Sequence, residues 1–336
     1  MEKVDLWLRL KLTKGLGDRT LAKLYRFFGD AERIVSANFD ELKSLIGEKK
    51  ANALVKGEYD REIFSRLLDT IERHSLKVMT IEDDTYPEHF RTLQDPPALL
   101  FLKGNLRELP LFGIVGTRKP TPYTLSFIED LVKLGLSKGY GIVSGGAPGV
   151  DSKSHESAIE NGGYTVCVLG YGILKARGSV FKRIEDAGGA LLTEFLPHEP
   201  GSRHTFPRRN RLIAALSEFL VIPEAGKGSG SMITAGYAFE QGKRVYVHIG
   251  IGRSPNWEGC YQLLREGKAT LIKDGFDLFG HSGGEGKNDL IDFLKVPRSL
   301  EDIRDFLKLS EGETLALLTK MEIEGKVKRM GAFYLS

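Results

Sequence analysis

The residues whose types and spacing suit chemistry lie in the run RHTFPRRNRLIAALSEFLVIPEAGKGSGSMITAGYAFE, from Arg203 to Glu240. It opens with four arginines (Arg203, Arg208, Arg209 and Arg211) and His204, with Phe206 among them. Pro207 biases Phe206 toward an extended backbone. An extended aromatic between cations suits base stacking, worth about 1–3 kcal/mol per base. An apolar strand, Phe219–Ile222, follows. It ends in the small-residue turn Ala225–Ser231, which opens a helix near Met232. Such a turn points several backbone N–H groups at one place, and the helix dipole there favours an anion. The chemistry read from these residues is a phosphate cradle beside a cationic flap, with Ser229, Gly230, Ser231 and Thr234 on the cradle side. The ligand it suits is single-stranded nucleic acid. The same residues admit another use, with Phe206 plugging a core and the arginines paired to Glu194, Glu199 or Glu218. The local density of cations favours binding.

Catalytic groups are sparse. Asp151 and His155 stand one helical turn apart and form either an acid/base pair or a helix-start device, the second being the commoner use of that spacing. Ser229, Ser231 and Thr234 have no base beside them in sequence. Cys167 and Cys260 are the two cysteines of the chain. They make neither a disulfide framework nor a metal-ligand pattern. No catalytic residue, metal or cofactor is assigned. The dinucleotide fingerprint G-x-G-x-x-G and the Walker sequence are both absent.

These residues need a frame. Of 336 residues, 41% are hydrophobic and 28% charged, which is ordinary for a folded soluble protein. The net charge is only +3, so any nucleic-acid contact must come from local clustering. The N-terminus lacks a signal h-region and no apolar run is long enough to span a bilayer, so the expected compartment is the cytoplasm. Strand and helix signals alternate through residues 110–280, with strands at Leu111–Val115, Gly141–Val143, Tyr164–Leu169, Ala190–Glu194, Phe219–Ile222 and Arg244–His248. Near-continuous apolar strands joined by helices imply an α/β, Rossmann-like doubly wound, mostly parallel sheet. In such sheets ligands sit at the C-terminal strand ends. Those ends deliver Gly116-Thr117-Arg118, Ser144-Gly145-Gly146 and the Glu224–Ser231 turn to one edge. Asp151, Asn210 and Glu224 read as structural residues of that site. Lys175 and Arg177 either extend its basic surface or form a solvated charged face.

Four segments are expected. Residues 1–65 form a small all-α module in which Gly-x-Gly turns resemble helix-hairpin-helix or sterile-alpha-motif units, as DNA contacts or as tight packing turns. Residues 66–280 form the core, with Pro96-Pro97 excluding regular structure locally. Residues 281–289 are a glycine-rich linker. Residues 290–336 read as three helices and a hairpin around Gly331, the order of a winged helix. Its recognition helix, about Gly312–Ile323, carries Glu313 and Glu322 against Lys320, an acidic face that phosphate repels.

From Tyr86 to Ile272 the chain resembles the DNA processing protein A (DprA/Smf) family. The resemblance is carried in order by YPEHFRTLQDPPALLFLKG, GIVGTRKPTPYT, SGGAPGVDSKSHESAI, TVCVLGYGI, LLTEFLPHEPG, the FPRRNR…EQGKRVYVHIG stretch and GCYQLLREGKATLI. It implies a Rossmann-like core that binds single-stranded DNA, often as a homodimer. It also implies delivery of incoming strands to the recombinase RecA in natural transformation, without catalytic turnover. By motif it implies DNA contacts at Arg118, Phe206, Arg209 and Arg211 and at Ser229–Ser231. Pro148 stands where the family usually has arginine, and ILKARGSVFKRI replaces a segment usually carrying Tyr-Pro and Asn. The turn after Phe219–Ile222 also resembles that of nucleotide phosphoribohydrolases of the lysine decarboxylase-like type, which makes a nucleotide-processing enzyme the alternative. Those enzymes carry a carboxylate three residues past a Gly-Thr; the next acid here is Glu240.

Overall fold

Capped short helices begin the fold. A computed structural model describes residues 2–250, 254–279, 288–307 and 309–336. The chain divides into two compact units, residues 1–274 and 275–336. The first starts with α1 (Glu2–Leu12), α2 (Asp18–Phe28), α3 (Ala31–Ser36), α4 (Phe39–Ile46), α5 (Glu48–Val55) and α6 (Arg61–Arg73). Asp30, Asn38 and Asp60 cap α3, α4 and α6 by accepting from the amides three residues on. α4 and α5 are separate helices because Gly47 turns the chain between them at φ 84°. Trp7, Leu21, Ile34 and Leu42 are buried in the same apolar cluster as the sheet.

The core follows as β1 (Lys77–Thr80), α7 (Glu88–Arg91), β2 (Leu99–Gly104), β3 (Leu111–Ile114), α8 (Pro122–Ser137), β4 (Gly141–Ser144), α9 (Val150–Glu160), β5 (Thr165–Val168), α10 (Ser179–Asp186) and β6 (Ala190–Thr193). It continues through α11 (Thr205–Leu216), β7 (Phe219–Ile222), α12 (Gly230–Glu240), β8 (Arg244–Val247), α13 (Glu258–Arg265) and β9 (Thr270–Leu271). The strands make one sheet in the order β1-β2-β6-β5-β4-β3-β7-β8-β9. From β6 to β9 every pairing is parallel; β1–β2 and β2–β6 are antiparallel. Strands β3 to β7 are buried at every position, which is why their sequences read as apolar runs. The outermost β9 has only two residues, both exposed, a short edge that offers little to a foreign strand.

The chain runs outward from β3 through β4 and β5 to β6, then crosses back to β7 and runs the other way. The switch point therefore lies between β3 and β7. α11 makes that return. It packs on α12 and spans β3, β4 and β5, while α9 packs between α8 and α10. The architecture is a mostly parallel, Rossmann-like α/β sheet.

The second unit contains α14 (Phe276–Phe279), α15 (Asn288–Phe293), β10 (Arg298–Ser299), α16 (Leu300–Leu307), α17 (Glu311–Ile323), β11 (Lys328–Met330) and β12 (Phe333–Leu335). Its strands pair antiparallel in the order β10-β12-β11. Leu290, Ile303, Phe306, Leu318, Met321 and Tyr334 form its own core. Ser310 and Glu313 close a capping box at the start of α17. The linker expected at 281–289 lies outside the described residues up to 287, and Asn288 already begins a helix.

Candidate nucleic-acid interface

A cleft of about 550 Å³ opens at the switch point. Its walls are Val115–Arg118 after β3, Gly146–Pro148 after β4, Tyr171 after β5, Phe206, Arg209, Asn210 and Ile213 of α11, and Ser229–Ser231 with Thr234 at the head of α12. The topology makes this convergence: β3 and β7 are neighbours whose exits diverge, and α11 lies across them.

The anion-seeking end is α12. Its N-cap Ser229 makes no side-chain capping bond; its Oγ instead lies 2.7 Å from Ser231 Oγ. The first-turn amides therefore have no side-chain acceptor, and the dipole adds positive potential. Asn210 ties α11 to this turn, donating from Nδ2 to Gly230 O at 3.2 Å and accepting from Arg209 Nε at 3.1 Å. Opposite, the Thr117 amide is already spent on Glu224 O (2.8 Å), so this residue offers a phosphate its side chain rather than its N–H. Glu224 braces the wall. Its Oε2 accepts from Thr121 N (2.9 Å), Thr121 Oγ1 (3.0 Å) and Thr124 Oγ1 (2.6 Å), locking the start of α8 to the exit of β7. Arg118 is exposed on the rim.

The floor holds two buried charged side chains, Asp151 and Arg209, that act on each other electrostatically. Arg209 donates from Nη1 to Val168 O. Burial pushes the Asp151 carboxyl up to about 6, against the pull of Arg209, the Ala147 amide and the Ser144 hydroxyl. Gly145 is required here: a Cβ on it would stand 2.6 Å from Asp151 Oδ2 and 2.7 Å from the Arg209 guanidinium. Ser144 and Gly145 thus lie beneath the cleft rather than lining it, with Ser144 Oγ bonded to Ile114 O at 2.5 Å. His155 does not partner Asp151. Its Nε2 donates to Gly145 O (2.8 Å), Nδ1 accepts from Thr165 Oγ1 (2.7 Å), and burial lowers its pKa to about 4. The acid/base reading of that spacing is excluded, since both ring nitrogens are occupied.

Phe206 reaches the cleft by a route other than the expected one. α11 starts at Thr205, so Phe206 is helical, not extended. Proline is tolerated in a first turn, where its missing N–H has no intrahelical partner. The ring lies against the backbone of Gly170, where a Cβ would stand 2.7 Å from it, and meets the Tyr171 ring edge-on at 6.1 Å. It remains 37% exposed, enough to present a face.

The helix also divides the basic run. Phe206, Arg209, Asn210 and Ile213 face the cleft; Arg208 and Arg211 face away. Arg208 Nη2 bonds Asp18 and Glu194 Oε2 (2.9 Å). Arg211 Nη2 bonds Glu194 Oε2 at 2.6 Å, its Nε stands 3.4 Å from Asp95, and its side chain is 4% exposed. Both arginines, expected at the phosphate, are instead held in a network that joins α2 to the sheet. The less favoured use of the run, pairing with Glu194, is the one these two take. Arg203 is exposed and donates from Nε to His204 (3.1 Å), and Lys175 is exposed at the end of a short turn; neither lines the cleft. Tyr171, Ile213 and Ile233 line it without having been singled out in the sequence. The apolar spacing of Ile213 on α11 was the available signal.

Among the described residues no group of three or more His, Cys, Asp or Glu could hold a metal, and no helix is long and apolar enough to cross a membrane. Glu240 ends α12, at the opposite end of that helix from the cleft turn, so the carboxylate of the phosphoribohydrolase pattern is missing.

With this geometry in place, comparison with known proteins is specific. The profile of a family described as DNA recombination-mediator protein A matches residues 77–282. The DNA processing protein DprA of Streptococcus pneumoniae is 37% identical over 204 residues, covering 59% of this chain and 72% of that protein. That of Bacillus subtilis is 34% identical over 220 residues, 64% of this chain and 74% of that protein. The crystal structure of the S. pneumoniae protein matches with a TM-score of 0.71 at 29% identity, over 83% of this chain and 97% of that one. DNA processing protein A of Helicobacter pylori, whose structure addresses its single-stranded DNA binding mode, matches with a TM-score of 0.54 at 31% identity, over 60% and 94%.

Proposed function

The chain belongs to the DNA recombination-mediator protein A family, and on that premise we propose that it binds single-stranded DNA in the switch-point cleft, without catalytic turnover. The observation that carries this reading is the convergence of Arg118, Arg209, Phe206 and the uncapped head of α12 on one cleft. Cations and helix amides take phosphates, and Phe206 stacks a base. This is how sequence-tolerant single-strand binders work. A duplex keeps its bases stacked inside and gives Phe206 nothing to hold. Contacts are proposed at Gly116, Thr117, Arg118, Gly146, Phe206, Arg209, Ser229, Gly230, Ser231 and Thr234.

The wider role follows from the family: mediation of recombination, with handover of incoming strands to the RecA recombinase in transformation, by a cytoplasmic homodimer. The relatives named as DNA processing proteins support the DNA-handling part of that role. The order of helices and hairpin in residues 275–336 supports a winged helix. With Glu311, Glu313 and Glu322 on α17, its use is protein contact or packing rather than groove reading.

Fluorescence anisotropy with single- and double-stranded oligonucleotides across a salt series tests the reading. Single strands should bind more tightly, and log affinity should fall linearly with log salt. Equal affinity for duplex, or preference for a mononucleotide over an oligonucleotide, refutes it.

A further inference from the structure

Five residues past Arg118 in the chain begins a column of rings that does not line the cleft. Tyr123, on the first turn of α8, stacks on His248 with centroids 5.1 Å apart and planes 24° apart. His248 stacks in turn on Phe127, at 3.9 Å and 7°. The lower two rings are buried; Tyr123 is 47% exposed. Its hydroxyl makes no hydrogen bond among the described residues, and the ring rests on His248 by stacking. One face is thus fixed against the protein while much of the ring stays open to solvent.

The loop leading to it has the composition of a strand path. Arg118 and Lys119 are exposed and make no ion pair among the described residues. Pro120 and Pro122 fix φ on either side of Thr121. Glu224 anchors Thr121 by two bonds, and the Val150 amide holds Thr117 O at 3.1 Å. Two unpaired cations therefore precede an open aromatic face on a rigid segment. Cations tracking a backbone beside aromatic platforms are the physical basis of sequence-tolerant single-strand binding.

We propose that Tyr123 is a second nucleobase platform, taking a base of the strand that leaves the cleft over Arg118 and Lys119. The inference rests on the single-strand reading of the cleft, so its test separates the two. Affinities for oligothymidylates of about 3 and about 15 nucleotides, near the two ends of single-strand site sizes, are measured for the full chain and for Arg118→Ala, Tyr123→Ala, Tyr123→Phe and Tyr123→Leu. Tyr123→Ala should weaken the long oligomer about five-fold or more and leave the short one unchanged. Tyr123→Phe should bind as the parent does. Tyr123→Leu still covers His248 and should restore thermal stability without restoring binding. Irradiation of a 5-iodouracil oligomer should crosslink to Tyr123. If Tyr123→Ala matches the parent at both lengths while Arg118→Ala weakens both, the platform is wrong and the cleft stands. If Tyr123→Leu binds like Tyr123→Phe, the ring is only a lid and the platform is again wrong. If Arg118→Ala changes neither length, the cleft reading itself has failed.

Discussion

Asp151 gives the sharpest test of the cleft floor. In an unfolded chain its carboxyl titrates at 3.8; in the fold, burial carries it to about 6. The native state therefore holds this proton more tightly than the unfolded state. The stability it contributes is fully present below pH 3.8 and is lost as pH rises to about 6. A shift of about 2 units at about 1.4 kcal/mol each makes the loss on the order of 3 kcal/mol. Asp151→Asn cannot titrate. It leaves Arg209 without a counter-charge, which adds an offset, but that offset does not change with the titration of a group that is absent. The quantity to follow is the difference in unfolding free energy, parent minus Asp151→Asn, from urea denaturation between about pH 3.5 and 7. It should fall by on the order of 3 kcal/mol across that window and then level off. A flat difference would mean that burial and the partners of Asp151 cancel; one that rose with pH would mean that Asp151 is ionised throughout, with Arg209 and the Ala147 amide outweighing burial. The floor would then be a permanent ion pair.

Three further outcomes follow from the same geometry. Arg118→Ala should weaken single-strand binding and lower the magnitude of the salt slope by about 0.7, the loss of one phosphate contact; an unchanged slope in anisotropy titrations would remove Arg118 from the interface. Phe206→Ala should cost about 1–3 kcal/mol of binding, equivalent to about five-fold to 150-fold, read by the same titration at constant salt. Arg211→Ala should leave single-strand contacts intact yet destabilise the fold by about 3–5 kcal/mol, because Glu194 stays buried without a main partner; thermal melting that matched the parent would show that the buried network carries no stability.

The strands were legible because burial on both faces leaves a one-dimensional record: Leu111–Ile114 and Phe219–Ile222 are short runs free of polar residues, set between turn signals. The turns at their ends were legible for the same reason, since small residues followed by helix signals locate a helix head without any knowledge of neighbours. The cationic run between Arg203 and Arg211 is different. Counting charges assumes that adjacent arginines share a destination, which holds for an extended flap only over alternate residues and for a helix only at spacings of three and four. Once α11 forms, Arg208 and Arg209 point to different sides, about 100° apart, by geometry alone. One then meets Asp18 and Glu194, from elements 190 and 14 residues away in sequence. The other lies with Asp151 beneath the cleft, within electrostatic reach of it. Sequence carried a reason to suspect the division: Phe206, Arg209, Asn210 and Ile213 fall on one helical stripe, Arg208, Arg211 and Ala215 on another. The proline after Phe206 argued against reading a helix there. It fails as a breaker because the first turn of a helix has no use for the N–H that proline lacks. The basic run is therefore two devices sharing one helix. One is a face that lines the cleft with Phe206 and Arg209. The other is a clamp that fixes α2 against the sheet, and only removal of the second should be felt as lost stability before it is felt as lost affinity.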